Sequence, residues 1–407
     1  TLSFGIDSEI EPLLADITEE KNSNFVEEVT ILFEASLNTD IRIDCIEYML
    51  AIEDTSLLEN AEEILQEFED YPVQLVKTSI SYISNLRETV DLEKITPLIE
   101  ADAAVAAAAI QNFSQLDVDG LSEVLQEKYR ARGTETSLKA EILLAFGKLQ
   151  DGATREMLEK IAADDGEENI LRHYACSALG EIGNPESLDV LIDVYGSDDA
   201  VMRSYALYGI GKIDDPKAEK IVLSSLRDSY WKIRVYACEA LAEKGSKEAV
   251  PALQYKAERD PEMNVRTAAV EALAKIGGKD ALDTLYTLFT DEGTNNDIRI
   301  TAFHALAEHH FAAAMGKIKE VFETELSKDR SYILEPICKT LSMKKGANLA
   351  DFYRKMLDHG SLPVKIHGLR GIATNSVQQL KGEVEKLADE EMPIRIRQHA
   401  LRTLEAF

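Results

Sequence analysis

Clustered histidines and carboxylates are the residues of this chain whose types suit metal binding or proton transfer. His304, His309 and His310 lie within seven residues of sequence. Two ligands share one face of a helix when they are three or four residues apart, as in His-Glu-x-x-His, and no pair of these histidines has that spacing. Asp117-Val-Asp119-Gly120 begins like a calcium loop but lacks the later ligands and the closing Glu. The pattern predicts no catalytic residue, no metal site and no cofactor.

Aromatic side chains recur at a fixed interval and are the sharper candidates for function. Tyr174, Tyr205 and Tyr236 are 31 residues apart. Tyr208 and Trp231, the single Trp, lie near them in the sequence. Amphipathic aromatic side chains near a surface are typical of binding hot spots. These five residues are therefore the predicted partner-binding residues, and two interpretations stay open: they contact a partner, or they seal grooves between neighbouring helices.

The recurring tyrosines belong to a longer repeated pattern. Leu171–Leu179, Met202–Ile210, Ile233–Leu241 and Val265–Leu273 align on an Arg that we number zero. An aliphatic residue or Met stands at −1, small residues stand at +3 and +6, and apolar residues stand at +4 and +7. At 100° per residue the apolar positions share one face of a helix. Twelve such anchors recur about 32 residues apart: Arg42, Val76, Ala106, Lys139, Arg172, Arg203, Arg234, Arg266, Arg299, Leu334, Lys365 and Arg397.

Each period is predicted to form two helices. Gly180–Pro185 ends the first helix, because Gly accepts the left-handed backbone and Pro cannot continue the helix. Asp199 and Asp260 precede the next anchors and are predicted N-caps. One helix pair cannot bury its apolar face alone, so the pairs must stack. The prediction is an all-α, right-handed α-α superhelix, an armadillo/HEAT-like solenoid of about twelve helix pairs, with residues 1–40 as an N-terminal cap and residues 41–407 as one continuous domain.

The anchor arginines and the cysteines are predicted to be structural. The Arg lies inside the apolar arc and Asp recurs shortly before it, which favours a ladder of Arg–Asp contacts between neighbouring repeats over a basic binding stripe. The cysteines fall at apolar positions of separate repeats and are predicted to be buried and unpaired. Unpaired core cysteines favour the cytoplasm, while the missing initiator Met leaves export open. The cysteines are Cys45, Cys176, Cys238 and Cys338.

Leu171–Gly183 reads apolar-Arg-x-x-Ala-x-x-Ala-Leu-Gly-x-Ile-Gly, and this motif resembles the short HEAT-like repeat of the bacterial phycobilisome-lyase-like class. The resemblance covers roughly residues 40–407 and implies a helical solenoid, but such repeats serve many unrelated binding roles. Chromophore lyases share this repeat. Deoxyhypusine hydroxylases, a related class, bind iron through recurrent His-Glu pairs. Here His173 is followed by Tyr174, and Glu308 precedes His309, so the pair does not occur.

Charge limits the partners. The net charge is −30, residues 1–100 hold 5 Lys/Arg against 24 Asp/Glu, and residues 301–407 hold 16 against 14. Such an acidic surface disfavours nucleic acid, whose phosphates need a basic footprint, and favours a basic protein or peptide near the N-terminal end. No apolar run approaches the roughly 18 residues of a transmembrane helix.

The predicted function is that of a non-enzymatic protein-binding scaffold or adaptor that uses the extended surface of the solenoid. Two alternatives stay open: a lyase-like or other enzyme subunit that acts with a partner chain, and a structural spacer in a larger assembly. The sequence leaves the identity of the partner and the oligomeric state undetermined.

Overall fold

The structure is a computed structural model that describes residue 2, residues 5–346 and residues 349–407. The secondary structure of these residues consists of 25 α-helices and six short 3₁₀ helices, without a strand. The predicted all-α class is therefore confirmed. Contacts divide the chain into two compact units, Thr1–Glu219 and Lys220–Phe407, and each unit is described by itself below.

In the first unit the helices alternate between two layers. The first-layer helices are α1 (Asp7–Glu19), α3 (Thr39–Ala51), α5 (Val73–Leu86), α7 (Ala103–Phe113), α9 (Thr136–Leu149), α11 (Asn169–Ile182) and α13 (Ala200–Lys212). The second-layer helices are α2 (Val26–Ala35), α4 (Leu58–Gln66), α6 (Leu92–Glu100), α8 (Leu121–Arg130), α10 (Arg155–Ala163) and α12 (Leu188–Tyr195). Helix α14 (Pro216–Ser225) spans the boundary between the two units.

The second unit repeats the same alternation. Its first-layer helices are α15 (Trp231–Glu243), α17 (Met263–Ile276), α19 (Asn296–His309), α21 (Leu334–Met343), α23 (Leu362–Asn375) and α25 (Ile394–Leu404). Its second-layer helices are α16 (Val250–Arg259), α18 (Lys279–Thr290), α20 (Phe311–Leu326), α22 (Ala350–Asp358) and α24 (Lys381–Leu387). The 3₁₀ helices are Ser23–Phe25, Phe68–Asp70, Gly152–Thr154, Pro185–Ser187, Lys247–Ala249 and Gln378–Leu380.

The twelve predicted anchors all lie in first-layer helices, from α3 to α25. In α11 the four predicted core positions, Leu171, Ala175, Cys176 and Leu179, are buried. The corresponding residues of α13, α15 and α17 are buried as well. Within each unit, consecutive first-layer helices such as α9, α11 and α13 pack against one another as well as against the second layer. The core therefore covers more of each first-layer helix than the predicted apolar arc.

The predicted helix ends are confirmed in part. Gly183 ends α11 in the left-handed conformation, with φ 69°. Asp199 caps α13 by accepting a 2.8 Å hydrogen bond from the backbone N–H of Val201. The predicted cap Asp260 is wrong: the N-cap residue of α17 is Glu262, which makes no side-chain cap bond. The Asp260 carboxylate is buried instead, where arginine and lysine donors from its own unit reach both of its oxygens.

Helix α1 packs against α3 in the same layer. The separation of residues 1–40 as a cap from a continuous domain over residues 41–407 stays a prediction. The four cysteines are buried and free, as predicted. Burial, which is the main cause in each case, raises the pKa of all four thiols to about 12.

Candidate partner-binding surfaces

Two glycines bring α11 and α13 into backbone contact in the first unit. A Cβ on Gly180 would lie 2.6 Å from the Cα of Gly209, and a Cβ on Gly209 would lie 2.6 Å from the carbonyl oxygen of Cys176. Larger residues at either position would therefore push the helices apart. The small residues of the repeat thus allow side chains of neighbouring first-layer helices to meet directly.

Aromatic rings meet where α11 and α13 approach. The Tyr205 ring stacks on the imidazole of His173, with ring centroids 4.4 Å apart and an interplanar angle of 7°. The Tyr174 ring meets Tyr205 edge-on at 6.4 Å. The structure thus brings two of the predicted tyrosines together beside His173, which the sequence pattern did not indicate. The sequence feature that could have indicated His173 is its position at +1, directly before the recurring tyrosine.

His173 is buried, and its Nε2 has no hydrogen-bond partner among the described residues. Burial lowers the pKa of His173, and Arg172 adds to this, whereas Asp199 opposes it. The imidazole is therefore neutral near pH 7 and acts as a flat apolar surface for Tyr205. The contact between the two rings is therefore one of stacked flat faces.

Exposed aliphatic side chains extend the aromatic cluster along both helices. Ile170 precedes Tyr174 by four residues and is 38% exposed, and Val201 precedes Tyr205 by four residues and is 44% exposed. Residues four apart lie on one helix face, so each pair forms a short apolar stripe. We call the set Ile170, Tyr174, Val201, Tyr205 and Tyr208 the tyrosine surface.

Tyr208 lies one turn beyond Tyr205 on α13. It is half-buried. Its hydroxyl donates a short hydrogen bond to the carboxylate of Glu181 on α11. The ammonium of Lys212 lies 5.5 Å from the centre of its ring, within the range of a cation–π contact. Tyr208 therefore links the two helices at the edge of the tyrosine surface.

Trp231 and Tyr236 belong to the second unit and lie on α15. Trp231 is the first residue of that helix, half-buried, with the ring of Tyr230 at 6.3 Å. Tyr236 is 39% exposed. At 100° per residue the two side chains leave the helix about 140° apart. The continuation of the tyrosine series to Tyr236 stays a prediction.

The predicted ladder of Arg–Asp contacts between neighbouring repeats is confirmed at Arg234, whereas Arg299 and Arg172 have partners of another kind. Arg234 makes a two-pronged contact with Asp260 of the next repeat, at 2.9 Å and 2.7 Å. Arg299 contacts Glu325 instead, at 3.0 Å. Arg172 pairs at 2.8 Å with Asp165, which is 91% exposed and precedes the same helix.

A second role of the anchor arginines was not predicted. The guanidinium Nε of Arg172 donates to the carbonyl of Ala162 at 3.1 Å, and that of Arg266 donates to Ala257 at 2.9 Å. Both carbonyls belong to the last turn of the preceding second-layer helix. Helix ends leave such carbonyls without intrahelical donors, so a cation at the anchor satisfies them and suits the negative helix end.

No group of three or more His, Cys, Asp or Glu side chains within residues 5–346 and 349–407 is placed to hold a metal ion. None of the helices in the described part of the chain is both long enough and apolar enough to span a membrane.

Comparison with known proteins shows a match along nearly the whole chain. A family model described as spirochaete HEAT repeat protein matches residues 2–403. A solved structure of Kap95p with RanGDP aligns over 94% of this chain and 61% of that chain, at 13% identity and a TM-score of 0.50. The complex of CpcE and CpcF of phycocyanin lyase from Nostoc aligns over 70% of this chain and 94% of that chain, at 15% identity and a TM-score of 0.34.

A shorter match involves an enzyme. Human deoxyhypusine hydroxylase is 39% identical over 64 residues, which are 16% of this chain and 21% of the enzyme. The Drosophila melanogaster enzyme is 36% identical over 64 residues. The chain thus spans about a fifth of the length of these relatives, 21% in both cases.

Proposed function

Because this chain belongs to the family of spirochaete HEAT repeat proteins, we propose that it is a non-enzymatic scaffold that binds another protein through the tyrosine surface. Kap95p, which shares the fold, is seen with the protein RanGDP, and this supports protein binding by analogy of fold alone. A capture experiment distinguishes this function from the lyase-like and structural-spacer alternatives.

The composition and rigidity of the tyrosine surface carry the proposal. Three tyrosines and two exposed aliphatic residues share one face of α11 and α13. The backbone contact of Gly180 with Gly209 and the ring stack on His173 hold them in place. Rigid aromatic side chains lose little conformational entropy on binding, and they dominate the affinity of many interfaces.

Charge indicates the class of partner. The unit Thr1–Glu219 holds 16 Lys/Arg against 47 Asp/Glu, whereas Lys220–Phe407 holds 28 against 27. The tyrosine surface lies in the acidic unit, so a partner with a basic surface around an apolar centre complements it. Electrostatic steering of such a partner makes association faster at low ionic strength. Trp231 and Tyr236 are proposed as further contacts, made by the second unit.

The test uses the full chain as bait in an extract of its source organism, at low and at high salt. The captured protein is identified and its dissociation constant is measured with purified components. We expect Tyr174→Ala and Tyr205→Ala to weaken binding about tenfold or more each, and Tyr208→Ala and Trp231→Ala to weaken it less. Tyr255→Ala is the matched control, because Tyr255 is 60% exposed on second-layer helix α16.

Three outcomes would contradict the proposal. Unchanged affinity in both Tyr174→Ala and Tyr205→Ala would reject this surface. Salt-insensitive self-assembly without any captured protein would favour the structural spacer. Turnover of a small molecule, alone or with the captured chain, would favour the enzyme subunit.

A further inference from the structure

The +5 position of the repeat forms a graded row along the first layer of the second unit. From α15 to α25 it is occupied by Glu239, Glu271, His304, Lys339, Arg370 and Arg402. The row begins with carboxylates and ends with three consecutive cations. We call Lys339, Arg370 and Arg402 the cationic row.

Two contacts establish that α21, α23 and α25 lie in register. His367 Nε2 on α23 lies 3.8 Å from the Glu335 carboxylate on α21. Thr403 Oγ1 on α25 donates to the Leu369 carbonyl on α23 at 3.3 Å. Lys339 lies one turn beyond Glu335, and Arg370 is adjacent to Leu369. The three cations of the row therefore lie side by side on neighbouring helices.

The pKa values of His367 and His399, one turn before Arg370 and Arg402, also indicate that these side chains lie close together. Burial lowers the pKa of His399, and the charges of Arg402 and Arg370 lower it further. Burial also lowers the pKa of His367, followed by Arg370, while Glu335 opposes the effect. Arg370 on α23 is thus close enough to act on residues of its own helix and of α25.

The cationic row lacks carboxylate partners. Its three side chains and Arg395, at the start of α25, are exposed, and none has a carboxylate oxygen within 4.0 Å among the described residues. The neighbouring second-layer helix α22 differs, because Arg354 pairs with Glu383 and Lys355 pairs with Glu323. These two cations of α22 are therefore paired within the protein, whereas the cations of the row repel one another.

From this geometry we propose that the cationic row, with Arg395 at its margin, binds a short acidic peptide segment of another protein. Packed helices are about 8–10 Å apart, so the row spans roughly 20 Å. A peptide in the polyproline II conformation rises about 3.1 Å per residue with about three residues per turn, so about seven residues cover that distance and every third side chain points to the same side. Carboxylates about three residues apart would reach successive cations, and arginine binds a carboxylate through two parallel hydrogen bonds.

A nucleic acid strand fits the surroundings less well. Beyond His304 the same row continues into Glu271 and Glu239, and a longer polyanion would meet them. The pKa of Glu271 is raised mainly by burial, while His309 and Lys275 lower it and Glu308 raises it. A short acidic segment ends before reaching it. This inference concerns a different surface from the tyrosine surface and a partner of opposite charge.

The experiment measures fluorescence anisotropy of a labelled peptide of about nine residues with Glu at every third position, with the full chain at low salt. Its Gln counterpart and a short oligothymidylate are the comparison probes. We expect the Glu peptide to bind and the Gln peptide to bind at least about tenfold more weakly. The double variant Arg370→Glu with Arg402→Glu should weaken the affinity for the Glu peptide about tenfold or more. Arg330 is an exposed cation outside the row, so Arg330→Glu should change the affinity for the Glu peptide less than about twofold.

Thermal melting checks whether the charge reversal impairs folding. If it does, the milder double variant Arg370→Gln with Arg402→Gln is used to measure the same loss of peptide affinity. Equal binding of the Glu and Gln peptides, or tighter binding of oligothymidylate, would overturn the proposal. Self-association of the chain that the charge reversal abolishes would also overturn it, by assigning the row to the acidic surface of a second copy. Tyr174→Ala should leave peptide binding unchanged, so the two proposals fail separately.

Discussion

The tyrosine surface of the first unit and the cationic row of the second unit share position +5 of one repeat. Position +2 is Tyr174 and Tyr205 in α11 and α13, but His367 and His399 in α23 and α25. Position +5 is Tyr208 in α13 and a cation in each of the last three first-layer helices. At +5 the repeat therefore presents an aromatic side chain in α13 of the first unit and cations in α21, α23 and α25 of the second. The fold determines where these side chains stand, and local residue choice determines which partner fits.

One anchor of each unit shows how far the ion pairs differ in burial. Arg234 in the second unit pairs with Asp260, whose side chain is 0% exposed. Arg172 in the first unit pairs with an aspartate that is almost fully exposed. A buried pair is costly to break because a charge is left without its partner, whereas an exposed pair contributes little.

The largest expected effect comes from breaking the buried pair. Asp260→Asn should lower the free energy of unfolding of the second unit by about 3–5 kcal/mol, since Arg234 and Lys256 lose their counter-charge in a buried site. Denaturant unfolding of the full chain measures it. Asp165→Asn is the matched control and should change stability little. Equal effects of the two substitutions would show that burial does not distinguish the two anchors.

Acid should remove the stabilising contribution of the Asp260 carboxylate, as the substitution Asp260→Asn does. Burial raises the pKa of Asp260, but hydrogen bonds from Arg234 and Lys256 outweigh it, so the folded pKa lies below the usual value. Its contribution is complete above about pH 4, where an unfolded aspartate is ionised, and is lost as the pH falls through the lower folded pKa. Thermal melts across this range should show a smaller acid dependence in Asp260→Asn than in the unchanged protein.

A smaller effect is expected at the glycine contact of the first unit. Gly180→Ala places a Cβ 2.6 Å from the Cα of Gly209. The resulting overpacking should cost about 1–3 kcal/mol, more than the gain of up to about 1 kcal/mol from helix propensity. Gly316→Ala on α20 meets no atom within 4 Å and should stabilise the protein. Stabilisation by both substitutions would disprove the close approach of α11 and α13.

The smallest effect concerns the ring stack. Tyr205→Leu keeps an apolar side chain but removes the stack on His173, and should cost about 0.5–1.5 kcal/mol. Tyr236→Leu is the control, because this residue holds the equivalent position in the second unit and is 39% exposed. Chemical denaturation of both variants gives the difference. Similar losses would mean that the His173 contact adds nothing specific.

Much of the fold could be predicted because its signal is local. The residues at −1, +3, +4 and +7 repeat with helical spacing, so their burial in α11, α13, α15 and α17 follows from periodicity alone. The end of α11 at Gly183 follows equally from local backbone chemistry. Asp260 shows the limit: its sequence position is typical of an N-cap, yet its strongest donors come from Arg234, 26 residues earlier.

The candidate surfaces show the same division. The recurrence of Tyr174 and Tyr205 was visible in the sequence, whereas the stack of Tyr205 on His173 depends on how closely two helices pack. The near-neutral charge of residues 301–407 was visible too, but it did not indicate that Lys339, Arg370 and Arg402 align. The net charge of a segment does not show which of its charged side chains are adjacent. That depends on the register in which neighbouring helices pack.

The sequence by itself determined the repeat, the helix pairs, the buried positions and the candidate tyrosines, because each depends on residues within one turn or one period. Only the tertiary structure decided which side chains meet between helices: Gly180 with Gly209, His173 with Tyr205, Arg234 with Asp260, and the three cations of the row. These contacts join residues about one repeat apart, and their geometry depends on the distance and register of packed helices, which no local pattern specifies.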